Sequence, residues 1–200
     1  MNAAGIDIRC VVLAAGSGER FGGGPKQIAR LNGTPVLEHV LRSLAAAPLA
    51  RVIVVLGAEA DRILQEIDFH GATPIICDAW REGQSVSLRA GLRASEDAEA
   101  AVIALGDQPL LRPEAVERVI AARDPAAAAV RATYAGRPGH PVLLERSAMD
   151  RARELRGDLG ARELLRTSRV VNVPCDGLGG DVDIDTVADL QTLERRHHVG

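Results

Sequence analysis

The amino-acid sequence predicts a single α/β domain: a mostly parallel, doubly wound sheet with helices on both faces. Three observations carry the prediction. Apolar runs of strand length recur along the chain, and most are continuous rather than alternating, as strands buried on both faces require. Segments with apolar residues at helical spacing separate them from end to end, the alternation that builds parallel sheets. The length of 200 residues, set against about 150 per domain, places residues 1–200 in one domain.

Residues 9–14 form the first strand, and a glycine-rich loop leads away from it. Thr34 and Pro35 begin the first helix, Thr as N-cap and Pro at the first helical position, with Val36, Leu37, Val40, Leu41 and Leu44 on one face and Pro48 beyond its end. Strands at 51–56, 73–77, 101–105, 141–144 and 169–173 alternate with helices at 59–67, 85–94, 113–122, 147–155, 161–166 and 186–196. The last helix opens on Thr186 and Asp189, the spacing of a capping box with Asp in place of Glu. Alanines 126–129 read as a strand or a strand edge. No repeat, low-complexity tract or long linker breaks the pattern.

Composition removes several functions. Apolar residues make up 46% of the chain and charged residues 26%, which excludes disorder as its main theme. Aromatic residues are 2%, namely Phe21, Phe69, Trp80 and Tyr134, and the formal net charge is −3, so neither stacking platforms nor a basic surplus favours a nucleic-acid partner. Cys10, Cys77 and Cys175 are odd in number and far apart, which fits no disulfide framework or zinc site and points to a reducing, cytoplasmic compartment. No signal-like start and no apolar run of about 18 residues predicts export or a membrane partner. Of 24 cationic residues only Lys26 is a lysine, a compact ammonium in a chain that otherwise uses Arg.

In open α/β sheets ligands bind beyond the carboxyl ends of the strands, so the residues after each strand are the first candidates. The loop from Leu13, Ala14, Ala15, Gly16, Ser17 and Gly18 through Arg20 to Lys26 carries five glycines and two cations, a cradle for a polyphosphate. It is neither a Walker A loop nor a clean dinucleotide fingerprint. Asp107, in Gly106-Asp107-Gln108-Pro109, lies at the mouth of a buried strand, where a carboxylate suits Mg²⁺ together with phosphate oxygens. Asp181, Asp183 and Asp185 alternate, which puts them on one side of an extended segment where a cation relieves their repulsion, although Asp185 could instead serve the helix N-terminus. His140, in Gly136-Arg137-Pro138-Gly139-His140-Pro141, and Asp158 and Arg162, in Gly157-Asp158-Leu159-Gly160-Ala161-Arg162, set polar groups among glycines and suggest an acceptor pocket. Ser85 and Ser87, near a helix start, either cap that helix or touch a nucleotide.

Taken together, these residues resemble the nucleotidyltransferases of the molybdenum cofactor type, a likeness spanning roughly residues 10–190. Their loop pattern L-A-[AG]-G-x-S-x-R-[MF]-G-x-x-K resembles residues 13–26, which are one residue longer and carry Gly18 where the pattern has Ser, and Gly106-Asp107-Gln108-Pro109-Leu110, Gly139-His140-Pro141-Val142, Gly157-Asp158-Leu159-Gly160-Ala161-Arg162 and Asp183-Ile184-Asp185-Thr186 look like the later motifs of the cytidylyltransferases. The resemblance implies a Rossmann-like nucleotidyltransferase fold, triphosphate binding by Gly16, Ser17, Gly18, Arg20 and Lys26, and Mg²⁺ on Asp107 with Asp183 or Asp185. It further implies that residues 80–88 lie near the nucleotide and His140 near a molybdopterin-type acceptor, with CMP passing from CTP to that acceptor and a recipient molybdoenzyme as a possible partner. Guanylyl transfer stays open, because one alanine at position 15 does not settle the base. The methylerythritol phosphate cytidylyltransferases share Pro25-Lys26-Gln27 but not the motif at 107–110. From other classes, a dinucleotide-dependent oxidoreductase, with Glu59 as its one candidate ribose acid, and a non-catalytic nucleotide-binding accessory protein remain alternatives.

Overall fold

The computed structural model describes residues 5–22, 24–155 and 161–197. Seven strands form the central sheet: β1 (Ile8–Ala14), β4 (Arg51–Leu56), β5 (Thr73–Ile76), β6 (Ala100–Leu105), β7 (Ala129–Tyr134), β8 (Arg137–Glu145) and β9 (Val170–Pro174). Their order across the sheet is β5-β4-β1-β6-β8-β7-β9. All pairings are parallel except those of β8, which runs antiparallel to both β6 and β7. The mostly parallel α/β architecture expected from the sequence is the one observed.

The continuous apolar runs fill both faces of this sheet. On one face α1 (Val36–Ala45), α2 (Ala60–Glu66) and α4 (Pro113–Ala121) bury Leu37, Leu41, Ile63 and Val116 against Cys10, Val12, Val54 and Val102. On the other, α3 (Gln84–Arg93), α5 (Arg146–Ala152) and α6 (Ala161–Arg166) bury Leu88, Leu92 and Met149 against Val11, Val55 and Ile103. Side chains alternate across a strand, so neighbours such as Val11 and Val12 serve opposite layers.

Helix α3 comes unusually near the sheet. A Cβ placed on Gly91 would overlap a γ-methyl of Val11 and lie 3.0 Å from one of Val55. Gly91→Ala is therefore expected to destabilise the fold by about 1–3 kcal/mol, the usual range for overpacking, in spite of alanine's better helix propensity. Urea unfolding at equilibrium measures this, and an unchanged midpoint would contradict so close a packing.

A third cluster ties the chain's two ends together. The last helix, α7 (Val187–His197), lays Leu190 and Leu193 on Phe21, Leu31 and Val36, with Ile184 fully buried among them. Thr186 and Asp189 form the expected capping box: the Thr186 amide donates to Asp189 at 2.8 Å and the Asp189 amide to Thr186 Oγ1 at 3.2 Å. The Thr186 hydroxyl, which donates to the same carboxylate at 2.8 Å, and after it the Thr186 amide hold the Asp189 carboxyl below its ordinary range. Asp189, not Asp185, thus serves the helix start.

Two local expectations are corrected. Thr34 and Pro35 do not cap and open α1; they form a two-residue strand, β3, paired antiparallel with β2 (Arg30–Leu31), and Pro35 occupies the cap position while the helix begins at Val36. A proline with extended ψ satisfies both readings of the same dipeptide, and the hairpin under α7 decides between them. The strand expected at 141–144 starts earlier: residues 137–140 already belong to strand β8, which with β7 forms a hairpin. All three cysteines are free and buried.

Candidate functional site

The sheet's order reverses between β1 and β6, which are neighbours whose chains continue to opposite sides; there the crevice of a doubly wound fold opens. The loop after β1 and the turn after β6 meet across it. The Gly106 amide donates to the Leu13 carbonyl at 3.0 Å, and the Ile184 amide to the Asp107 carbonyl at 2.9 Å, which draws the 181–185 segment onto the same spot.

The glycine loop is buckled at both ends. Gly18 sits in the left-handed region at φ +65° and accepts from the Phe21 amide at 2.7 Å, so that Phe21 can drop into the apolar cluster under α7. Gln27 is buried, and its Nε2 donates to the Ala14 and Gly16 carbonyls at 2.8 and 3.2 Å. Such a buried amide holds loop carbonyls that would otherwise lack partners. The sequence reading carried Gln27 only as part of Pro25-Lys26-Gln27 and gave it no role.

Lys26 Nζ lies 2.5 Å from Asp107 Oδ2 and 3.1 Å from Asp185 Oδ1, while Arg20 reaches the other Asp185 oxygen at 3.1 Å. Burial alone would lower the ammonium's pKa, but the two carboxylates overcome it and hold Lys26 above its ordinary range. The sequence reading assigned the lysine to phosphate and the aspartate to metal; in the structure they touch. Asp107 Oδ1 is buried without a hydrogen-bond partner. Asp183 takes a 2.7 Å bond from Gln108 Nε2; burial pushes its carboxyl up, the Gln108 bond opposes this, and Asp107 and Asp185 add to the rise. The three alternating acids do not act as one set: Asp181 and Asp183 reach one cavity and Asp185 another.

Three cavities converge here. One of about 350 Å³ is walled by Leu13, Ala14, Ala15, Gly16, Lys26 and Asp107 on one side and by Trp80, Arg81, Gln84 and Ser87 on the other. The Arg81 guanidinium lies 4.5 Å from the centre of the Trp80 ring. Ser87 lines this cavity; Ser85 does not, its hydroxyl being buried without a partner. A second cavity, about 430 Å³, is bounded by Ser17, Gly18, Arg20, Lys26 and Asp185. A third, about 320 Å³, is lined by Gln108, Tyr134, Arg137, His140, Asp181 and Asp183 and shares Leu105 with the first. Asp158 and the side chain of Arg162 lie outside the described residues, as does Gly23. Glu59 faces a hollow on the outer side of the glycine loop, with Gly22 and Arg62.

His140 is held neutral. Burial lowers its pKa from 6.5 to about 4, against a smaller raising effect of Asp107. Below the unfolded value the unfolded chain binds a proton that the folded one refuses until about pH 4, so the fold loses stability as pH falls across that window. His140→Gln is expected to flatten this loss; denaturant midpoints at neutral pH and near pH 4.5 measure it, and equal losses in both proteins would refute the cause.

Among the described residues no three His, Cys, Asp or Glu side chains form a metal cage by themselves. The arrangement still suits Mg²⁺, which uses one or two carboxylates and completes its shell with water and phosphate oxygens. The unpartnered Asp107 oxygen beside Asp185 is what such an ion needs. No helix among the described residues is long and apolar enough to cross a membrane.

Residues 10–173 match the family model described as the MobA-like NTP transferase domain. The chain is 29% identical over 202 residues to nicotine blue oxidoreductase of Paenarthrobacter nicotinovorans, covering 94% of this chain and 98% of that protein. It is 32% identical over 135 residues to the bifunctional protein GlmU of Cereibacter sphaeroides, which is 66% of this chain and 30% of that one. The structure of Rv0371c from Mycobacterium tuberculosis in complex with manganese superposes with a TM-score of 0.79 at 30% identity, over 94% of this chain and 98% of the other.

Proposed function

The chain belongs to the family of MobA-like NTP transferase domains, and from that premise we propose that it transfers CMP from CTP to the phosphate of a molybdopterin-type acceptor, releasing pyrophosphate. The observation that carries this reading is the meeting of Lys26, Asp107 and Asp185, with Lys26 lining both the cavity beside Trp80 and the one beside Arg20.

In this reading the base lies between Trp80 and the Ser87 side of α3, and the triphosphate follows the glycine loop into the Arg20 cavity. Lys26 leaves its carboxylates for the phosphates and, with Arg20, neutralises the charge that grows on the departing pyrophosphate. Asp107 and Asp185, thereby freed, are the pair that would hold a divalent ion, with Asp183 turned to the acceptor cavity. The ion, when bound, supplies charge neutralisation at the α-phosphate and aligns the attacking oxygen. The chain's own part is positioning: the acceptor phosphate enters from the side of His140 and Gln108, opposite the leaving group. No protein nucleophile takes part.

The relative named an oxidoreductase, matched over nearly its whole length, favours a second reading: hydride transfer from a nicotinamide dinucleotide. Against it stands the placement of Glu59 outside the cavity between the glycine loop and Trp80. A thermal-shift panel of CTP, GTP, ATP, UTP, NAD and NADH, with and without Mg²⁺, separates the two, because a ligand stabilises according to its affinity. The expected result is a Mg²⁺-enhanced shift with CTP above all others. A shift with NADH alone would replace the first reading with the second, and CTP binding without release of its pyrophosphate in the presence of a phosphorylated pterin would leave a nucleotide-binding accessory protein.

A further inference from the structure

Strand β4 ends at Leu56, and the residue after it, Gly57, does not line the cavity between the glycine loop and Trp80. Yet it lies against both of that cavity's sides. A Cβ built on Gly57 would stand 2.7 Å from the Ala15 carbonyl oxygen and 2.7 Å from both Cβ and Cγ of Trp80. Neither neighbour is the free end of a flexible chain: one is backbone, the other the stem of the indole. Gly57 has no positive φ, so the position demands a glycine for the missing side chain and not for a left-handed backbone.

The two neighbours are held unequally. Ala15 is buried directly beyond β1, and its carbonyl accepts from the Ala58 amide at 3.1 Å. Trp80 is half-buried and rides on one short 3-10 turn, Asp78–Glu82, tied to the sheet where the Cys77 amide donates to the Leu56 carbonyl at 2.8 Å. The Trp80 amide donates in turn to the Cys77 carbonyl at 3.1 Å, and Arg81 stacks on the ring. When space at Gly57 is short, the indole is therefore the side that yields.

We infer that Gly57 is a positioning residue: by leaving room for the stem of Trp80 against the Ala15 carbonyl, it seats the indole as the wall on which the base of the nucleotide packs. The inference rests on the assignment of this cavity to the base of a nucleoside triphosphate and adds the residue that keeps its wall in place. Gly57 touches no substrate. It acts through Trp80, and so on the base alone, while the phosphates meet Ser17, Gly18, Arg20 and Lys26 in the neighbouring cavity.

The test titrates the full chain with CTP and with inorganic tripolyphosphate, which has no base, each in the presence of Mg²⁺ and followed by calorimetry. Gly57→Ala is expected to weaken CTP about tenfold, the scale of one base stacked on an aromatic side chain, and to leave tripolyphosphate unchanged. Trp80 is the chain's single tryptophan, so its emission reports the wall directly, and in the ligand-free Gly57→Ala protein it should move to longer wavelength. Trp80→Leu should weaken CTP to a similar degree, again without effect on tripolyphosphate. Equal loss of both ligands in Gly57→Ala overturns the inference, because the glycine loop is then what moved; so does an unchanged emission or an unchanged CTP affinity. A Trp80→Leu protein that keeps its CTP affinity overturns it whether or not Gly57→Ala folds. If the unaltered chain binds no nucleoside triphosphate, the transferase reading falls together with this one; if it binds CTP and the variants bind it as well, only this one falls.

Discussion

Asp107→Asn is expected to lower metal-dependent turnover by roughly 10³-fold, the scale seen when one charge-stabilising group is removed from a pre-organised site. The fold should persist. Asparagine keeps the volume, the backbone carbonyl that receives the Ile184 amide is unaltered, and Lys26 retains Asp185 at 3.1 Å. What disappears is one of the two carboxylates that flank the ammonium, together with the buried oxygen that has no partner in the protein. Pyrophosphate release measures the rate, and Mn²⁺ binding followed by electron paramagnetic resonance measures the ion separately. Undiminished turnover would take Asp107 out of the metal site.

Lys26→Ala is expected to cost roughly 10²–10³-fold in turnover, by loss of charge neutralisation on the leaving group. It also leaves Asp107, with a side-chain exposure of 20%, facing Asp185 without the cation between them. Breaking a largely buried pair from one side costs up to about 3–5 kcal/mol, so some loss of stability should accompany the kinetic effect. Lys26→Arg separates the two: a guanidinium keeps the charge but not the compact reach, so stability should largely return while turnover stays low. Full activity in the arginine variant would show that charge alone suffices at this position.

Much of this was readable from residue order. Strands β1, β4 and β6 lie at the middle of the sheet and are buried on both faces, so their apolar runs are unbroken and their boundaries differ from expectation by a residue at most. The residues gathered at the candidate site stood out for a related reason: a glycine run, a lone lysine and aspartates directly follow buried apolar strands, where the change of residue type is abrupt. The β7–β8 hairpin was less visible, because Gly136 and Gly139 resemble a loop and the strands that flank the hairpin, β6 and β9, are distant in sequence. The two-residue strands β2 and β3 carry no periodicity at all. Contacts were the hardest to foresee. Lys26 meets Asp185 across 159 positions, and Gln108 meets Asp183 across 75. Amides such as Gln27 and Gln108 have no pattern of their own, since their value lies in which carbonyl or carboxylate the fold brings to them.

The last strand of the sheet ends at Pro174, whereas Asp185 and the helix that anchors it follow. During synthesis from the amino end, then, the scaffold can be finished while the candidate site is still one carboxylate short, and its assembly waits for the stretch that follows β9. A protease that trims that stretch would silence the protein without dismantling its sheet, uncovering Phe21 and Leu31 as a greasy scar by which such a remnant could be recognised.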